Sequence, residues 1–133
     1  TPHGPPVVHP DVAILTPFEE ATTAGLAEPA IELGFTAAPP GDQDIIAPLS
    51  GTINVIRWTV HYGTRIQITN DAAQITAVIS GVDGWLVTDG EAVQAGQVIG
   101  RWNPASRPRL HYMIFQNGAI IDPTPSLGLS RAT

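Results

Sequence analysis

From about residue 31 onward, short apolar runs are separated by Gly, Asp, Asn and Pro at intervals of about ten residues, a texture that suits many short strands joined by tight turns. The runs predict strands over 45–47, 51–58, 65–69, 74–79, 85–87, 98–102 and 110–115. Asn117-Gly118, between Phe115 and Ile120, is a strong signal for a hairpin turn of the primed type, with Ile120 and Ile121 on the returning strand. In "RPRLHYMIF", residues 107–115, Leu110, Tyr112 and Ile114 alternate with Arg109, His111, Met113 and Phe115. The second set therefore points to the opposite face from the first. The expected class is all-β, a sandwich or barrel.

The first thirty residues differ. They hold six prolines, four of them in the first ten positions, and proline fixes φ and removes ladder donors. A Pro-rich arm is expected, with an edge strand within Val7 to Leu15 interrupted at Pro10. Thr16-Pro17-Phe18-Glu19 matches a capping box with proline at the first helical position, and Gly25 is a stop, so one short helix is expected over about 17–24. The organisation is thus an arm with a helix over 1–30 and a β domain over 31–133.

Composition removes several functions. The chain has no cysteine, which excludes disulfides, thiolate metal sites and cysteine nucleophiles. Residues 1–56 carry seven acids and no base, and residues 57–133 carry five acids and six arginines. That balance lacks the basic face nucleic acid requires. No run approaches the roughly 20 apolar residues of a membrane span, and the chain as given does not open on a basic-then-apolar segment. Neither nucleic acid nor membrane is an expected partner. Every basic residue apart from the four histidines is arginine, so no lysine amine is present to carry biotin or lipoate.

Two glycine-punctuated stretches, "TDGEAVQAGQVIGRW" (88–102) and "IIAPLSGTI" (45–53), resemble the sheet corners of biotinyl and lipoyl carriers, of sugar-phosphotransferase IIA domains, and of lysostaphin-type (LytM-like) peptidoglycan endopeptidases. Carriers need the missing lysine. "TVHYG", around His61, is similar to the phosphorylated strand of IIA domains, but their second histidine setting is absent. "RLHYMIFQNGAIIDP" (109–123) resembles the end of the lysostaphin-type zinc metallopeptidases, the H-x-H strand, hairpin and terminal D-P of the duplicated hybrid motif domain. "AAPPGDQDIIAPLSGTI" (37–53) resembles the stretch after that family's first metal motif, and "GTRIQITND" (63–71) its central strand and turn. The resemblance covers about 31–123 and implies the lysostaphin-type peptidase fold, an antiparallel β-barrel-sandwich.

The same resemblance implies where a zinc site would lie: a histidine and an aspartate of H-x-x-x-D, the second histidine of H-x-H, and two further catalytic histidines. Carried over residue by residue, H-x-x-x-D falls at or next to Glu32 and Thr36, and the first histidine of H-x-H is Arg109. A catalytic histidine falls near Val78. Only His111 matches, as the counterpart of a zinc ligand. Catalytic zinc takes three protein ligands and an open fourth position, so the degenerate positions Glu32, Thr36, Arg109 and His111 predict no metal, no cofactor and no catalytic residue. His111 then reads as a packed or hydrogen-bonded strand residue. His3 and His9 lie in the arm and His61 beside a turn, so none restores the ligand set.

Ser50, Ser80, Ser106, Ser126 and Ser130 have no nearby acid–base arrangement of triad type in the sequence. Asp42 and Asp44 read as turn residues. Trp58, Trp85 and Trp102 read as core anchors or as a sugar-stacking surface. The expected function is a catalytically inactive endopeptidase-like domain acting as a structural or adaptor protein. The family's habits imply a component of a bacteriophage tail or related particle, whose partners are other subunits of the assembly and, at a cell wall, peptidoglycan. Its location would be the virion or the cell envelope. The alternatives are a zinc-dependent endopeptidase with an altered site and a cell-envelope binding or regulatory module.

Overall fold

The computed structural model describes residues 12–16, 31–35, 43–56, 64–103 and 110–121. Within them lie eleven strands: β1 (Val12–Thr16), β2 (Ile31–Phe35), β3 (Gln43–Ile46), β4 (Gly51–Ile56), β5 (Thr64–Asn70), β6 (Ile75–Val82), β7 (Gly84–Trp85), β8 (Ala92–Val93), β9 (Val98–Trp102), β10 (Leu110–Gln116) and β11 (Ala119–Ile121). Eight form one sheet in the order β1-β2-β10-β6-β5-β4-β8, with β11 also pairing β10, and three form a second sheet in the order β3-β9-β7. Every pairing is antiparallel. The all-β class and the antiparallel sandwich follow as expected.

The large sheet is organised around β10, β6 and β5. β10 runs in register with β6 from His111 opposite Ser80 to Gln116 opposite Ile75. Its other edge is shared, with β2 against Leu110–Tyr112 and β11 against Ile114–Gln116. Asn117 and Gly118 take φ of 53° and 82°, the left-handed pair of the expected primed turn. At the same end of the sheet, Asn70 Oδ1 accepts the Ala73 N–H at 3.0 Å within the β5–β6 turn. The Asn117 N–H donates to the Gln74 carbonyl at 2.9 Å and ties the two turns together.

Alternation sends Ile66 and Ile68 of β5, Ala77 and Ile79 of β6, and Leu110, Tyr112 and Ile114 of β10 to one side. There they pack with Ile45, Ile99 and Trp102 of the small sheet in one buried cluster. Removing such side chains from water is the dominant stabilising term, roughly 1.5–3 kcal/mol for each large aliphatic. The opposite face carries a second, smaller cluster, Val78 and Met113 with Phe115 and Ile120 packed against them.

A bulge in β6 separates the sheets. Arg65 is opposite Ser80 and the adjacent Thr64 is opposite Val82, so Gly81 is the extra residue, and its φ of 97° is one that a side chain would strain. The slip turns Val82 into the core cluster although Ser80, two residues earlier, lies on the other face. The chain then leaves for β7 in the small sheet.

Several boundaries differ from the sequence reading. β2 and β8 were not expected as strands: "IELGF" carries an acid and a glycine, and β8 is only two residues long. Asp44 lies within β3 opposite Arg101 rather than in a turn. Val12–Thr16 forms an edge strand on β2, so the strand expected within Val7 to Leu15 is found toward its end. The helix expected over about 17–24 and the arm before residue 12 lie outside the described residues.

Candidate functional site

His111 lies at the centre of a row that runs across four adjacent strands. On one side its register partner is Glu32 of β2, on the other Ser80 of β6, and Ser80 in turn is opposite Arg65 of β5. Directly opposed residues share a face and stand about 4.5–5.5 Å apart at Cα. Arg65, Ser80 and His111 therefore project from the face that also carries Val78 and Met113, away from the main core.

Burial sharpens the row. Ser80 is 1% exposed and Arg65 8%, and they are the buried polar or charged side chains among the described residues. The Arg65 Nε–H donates to Ser80 Oγ at 3.0 Å. A guanidinium stays protonated at any working pH, so a fixed positive charge sits one strand beyond Ser80 from His111. His111 itself is half-buried, and its neighbour Val78, expected to stand near a catalytic position, is buried opposite Met113.

The opposite side of the same strands holds one polar anomaly. Tyr112 is fully buried in the core, and its hydroxyl has no hydrogen-bond partner among the described residues. Burial pushes that phenol well above its ordinary ionisation range.

Of the degenerate metal positions, the structure brings Glu32 and His111 together as cross-strand neighbours. Thr36 and Arg109 lie outside the described residues. Among the described residues no group of three or more His, Asp or Glu side chains converges on a point. The sequence reading gave Ser80 no role and did not single out Arg65, because the row joins residues 32, 65, 80 and 111 only through strand register. The available signal was the alternation in "TRIQITN", where Arg65, Gln67 and Thr69 fall opposite in phase to Ile66 and Ile68. The tryptophans divide: Trp102 is fully buried in the core, Trp85 is 40% exposed beside the exposed Leu86, and Trp58 is outside the described residues.

Known proteins place this architecture. The model of peptidase family M23 matches residues 31–123, and the chain belongs to that family. Among solved structures, a chain of the SpoIIQ–SpoIIIAH pore-forming complex superposes with a TM-score of 0.72 at 22% identity, covering 95% of this chain and 90% of that one. A zinc-containing peptidase from Vibrio cholerae gives 0.70 at 20% identity, covering 92% of this chain and 39% of that one. The catalytic domain of EnpA, a prophage-encoded M23 protein from Enterococcus faecalis, gives 0.64 at 19% identity, covering 92% of this chain and 95% of that one. These likenesses establish the lysostaphin-type fold. No curated protein matches the sequence significantly.

Of the donors that M23 zinc chemistry requires, the described residues hold His111, with Glu32 as its register partner. Among the described residues no third donor joins these positions, whereas catalytic zinc takes three protein ligands.

Proposed function

We propose that this chain is a catalytically inactive M23 domain that serves as a structural or adaptor protein. The observation that carries this reading is the Arg65–Ser80 hydrogen bond, buried in register with His111. A guanidinium can attract a carbonyl oxygen, but it cannot bind water as a metal does and lower its pKa to about 7. With that chemistry gone, what persists is a rigid sandwich whose outer strand β1 can present an edge.

An assembly role is supported by the fold's likeness, over most of both chains, to a member of the SpoIIQ–SpoIIIAH complex. The finer reading is a subunit of a bacteriophage tail or related particle, located in the virion or at the cell envelope; the prophage origin of one structural relative supports it. Its partners would then be other subunits, and peptidoglycan where the particle meets the wall.

Elemental analysis of the dialysed protein, paired with turbidity clearing of purified cell walls, tests the inactive reading. We expect no stoichiometric zinc and no clearing, with or without added zinc. One tightly held zinc per chain together with wall cleavage would establish an endopeptidase with an altered site instead. Retention on walls without cleavage would favour the envelope-binding module over the particle subunit.

A further inference from the structure

We infer that Asn117-Gly118 is a site of self-modification, where Asn117 loses ammonia to its own backbone and the β10–β11 hairpin is relinked through a side chain. The inference is independent of the function proposed above. It rests on the settings of the four asparagines in the chain.

The step needs a backbone nitrogen that can reach the side-chain carbonyl of the preceding residue. The Gly118 nitrogen attacks Asn117 Cγ, a C–N bond forms, and the side-chain nitrogen departs as ammonia with the proton that Gly118 gives up. The product is a cyclic imide. Water then opens the ring at either carbonyl. One opening leaves aspartate, and the other leaves isoaspartate, in which the main chain runs through the former side chain and is longer by one carbon. Water is the only co-reactant.

The other three asparagines are each obstructed. Asn103 precedes Pro104, whose nitrogen carries no hydrogen. Asn54 lies within β4 in register with Gln67, and the branched side chain of Val55 crowds the nitrogen that would attack. Asn70 is held at both side-chain atoms, Oδ1 accepting the Ala73 N–H at 3.0 Å and Nδ2 donating to the Ser50 carbonyl at 3.1 Å. Asn117, by contrast, is exposed and precedes a glycine. A Cβ placed on Gly118 would meet nothing within 4 Å among the described residues. The primed turn that favours Asn-Gly for its left-handed φ values thus also presents the most reactive pair. Its support is light, because β11 is three residues long and pairs with β10 alone among the described residues. Short edge elements open locally at low cost, which gives the nitrogen room to approach.

The consequence is structural. A main chain lengthened at residue 117 does not fit a two-residue primed turn. The bond from the Asn117 N–H to the Gln74 carbonyl and the packing of Ile120 on Val78 and Met113 should both weaken.

The full chain would be aged at mildly alkaline pH, digested and mapped by mass spectrometry, with isoaspartate detected by its enzymatic methylation. We expect the peptide bearing Asn117 to gain the mass difference between OH and NH2, in both product forms, before the peptides bearing Asn54, Asn70 and Asn103. Gly118→Ala should slow the gain about tenfold, the factor for a barrier higher by roughly 1.4 kcal/mol. Because alanine strains the turn at that φ, Asn117→Gln is the second variant; its attack would close a larger, slower ring, so residue 117 should stay intact. Amide exchange at Ala119–Ile121 should quicken in step with isoaspartate. An unchanged Asn117 in the folded chain, under conditions where the denatured chain converts, would overturn the inference. So would earlier conversion at Asn54 or Asn70.

Discussion

The two faces of the large sheet are written by the same strands and have opposite character. Facing the small sheet, β5, β6 and β10 present Ile66, Ile68, Ala77, Ile79, Leu110, Tyr112 and Ile114, an apolar surface broken by one hydroxyl. One residue out of phase, the same strands present Arg65, Ser80 and His111 beside Val78 and Met113. Because side-chain direction alternates with every residue, the two faces can change independently. The apolar face keeps the family's fold, and the other carries a serine–arginine pair beside the counterpart of a zinc ligand. Inheriting the sandwich therefore says little about inheriting the chemistry.

The largest effect should come from disturbing the close approach around Gly100 in the small sheet. A Cβ on Gly100 of β9 would lie 2.7 Å from the Gly84 carbonyl oxygen and 3.2 Å from Val82 Cγ1. The first contact is with backbone, which cannot rotate away. Gly100→Val should cost about 3 kcal/mol or prevent folding, since β9 would have to part from β7 within the small sheet and press on Val82 of the large one. Chemical denaturation would measure it, and a loss below about 1 kcal/mol would show that the contact around Gly100 is softer than the geometry indicates.

On the other face the leading effect should be Ser80→Ala. It opens almost no volume but takes the acceptor from a buried guanidinium N–H. An unsatisfied buried donor of this kind costs about 1–3 kcal/mol. Ser80→Thr retains the oxygen and should recover much of the loss, whereas a purely volumetric role for Ser80 would make Thr the worse of the two. His111→Phe should follow, at about 1–2 kcal/mol, because a flat ring replaces a flat ring at a half-buried strand position. If His111→Phe folds normally but abolishes a measurable wall-hydrolysing activity, the comparison between a structural and a chemical face is wrongly drawn.

What the sequence made legible follows from the same alternation. β9 was expected at its observed limits, β10 within one residue, and the primed turn at Asn117-Gly118 was evident, because period-two patterning and turn chemistry are local signals. The alternation in 107–115 separated His111 and Met113 from Leu110, Tyr112 and Ile114 correctly. The row Glu32–His111–Ser80–Arg65 was not legible, because register between strands far apart in the chain is set by the whole sheet and by the Gly81 bulge. Family resemblance supplied Glu32 and His111 as candidate positions. It gave no reason to look at Arg65, whose part appears only when β5 is placed beside β6.

The smallest effect should come from the buried Tyr112 hydroxyl on the apolar face, and it separates the two faces by pH. The Tyr112 hydroxyl is buried with no partner among the described residues, so it lost its hydration on folding without a replacement hydrogen bond from them. Removing it with Tyr112→Phe should leave stability near pH 7 unchanged or raise it by up to about 1 kcal/mol. Burial raises the folded-state pKa of this phenol above its unfolded value of about 10. Below that value both states are neutral and the group adds no pH dependence. Above it the unfolded chain releases a proton that the folded chain retains, so stability falls as pH rises. Denaturation midpoints of the unaltered chain and Tyr112→Phe, compared between pH 8 and pH 11, should therefore diverge only at the alkaline end, with the phenylalanine form holding its stability longer. Parallel curves across that range would mean that the hydroxyl is hydrated in solution, and that the apolar face is less dry than its packing indicates.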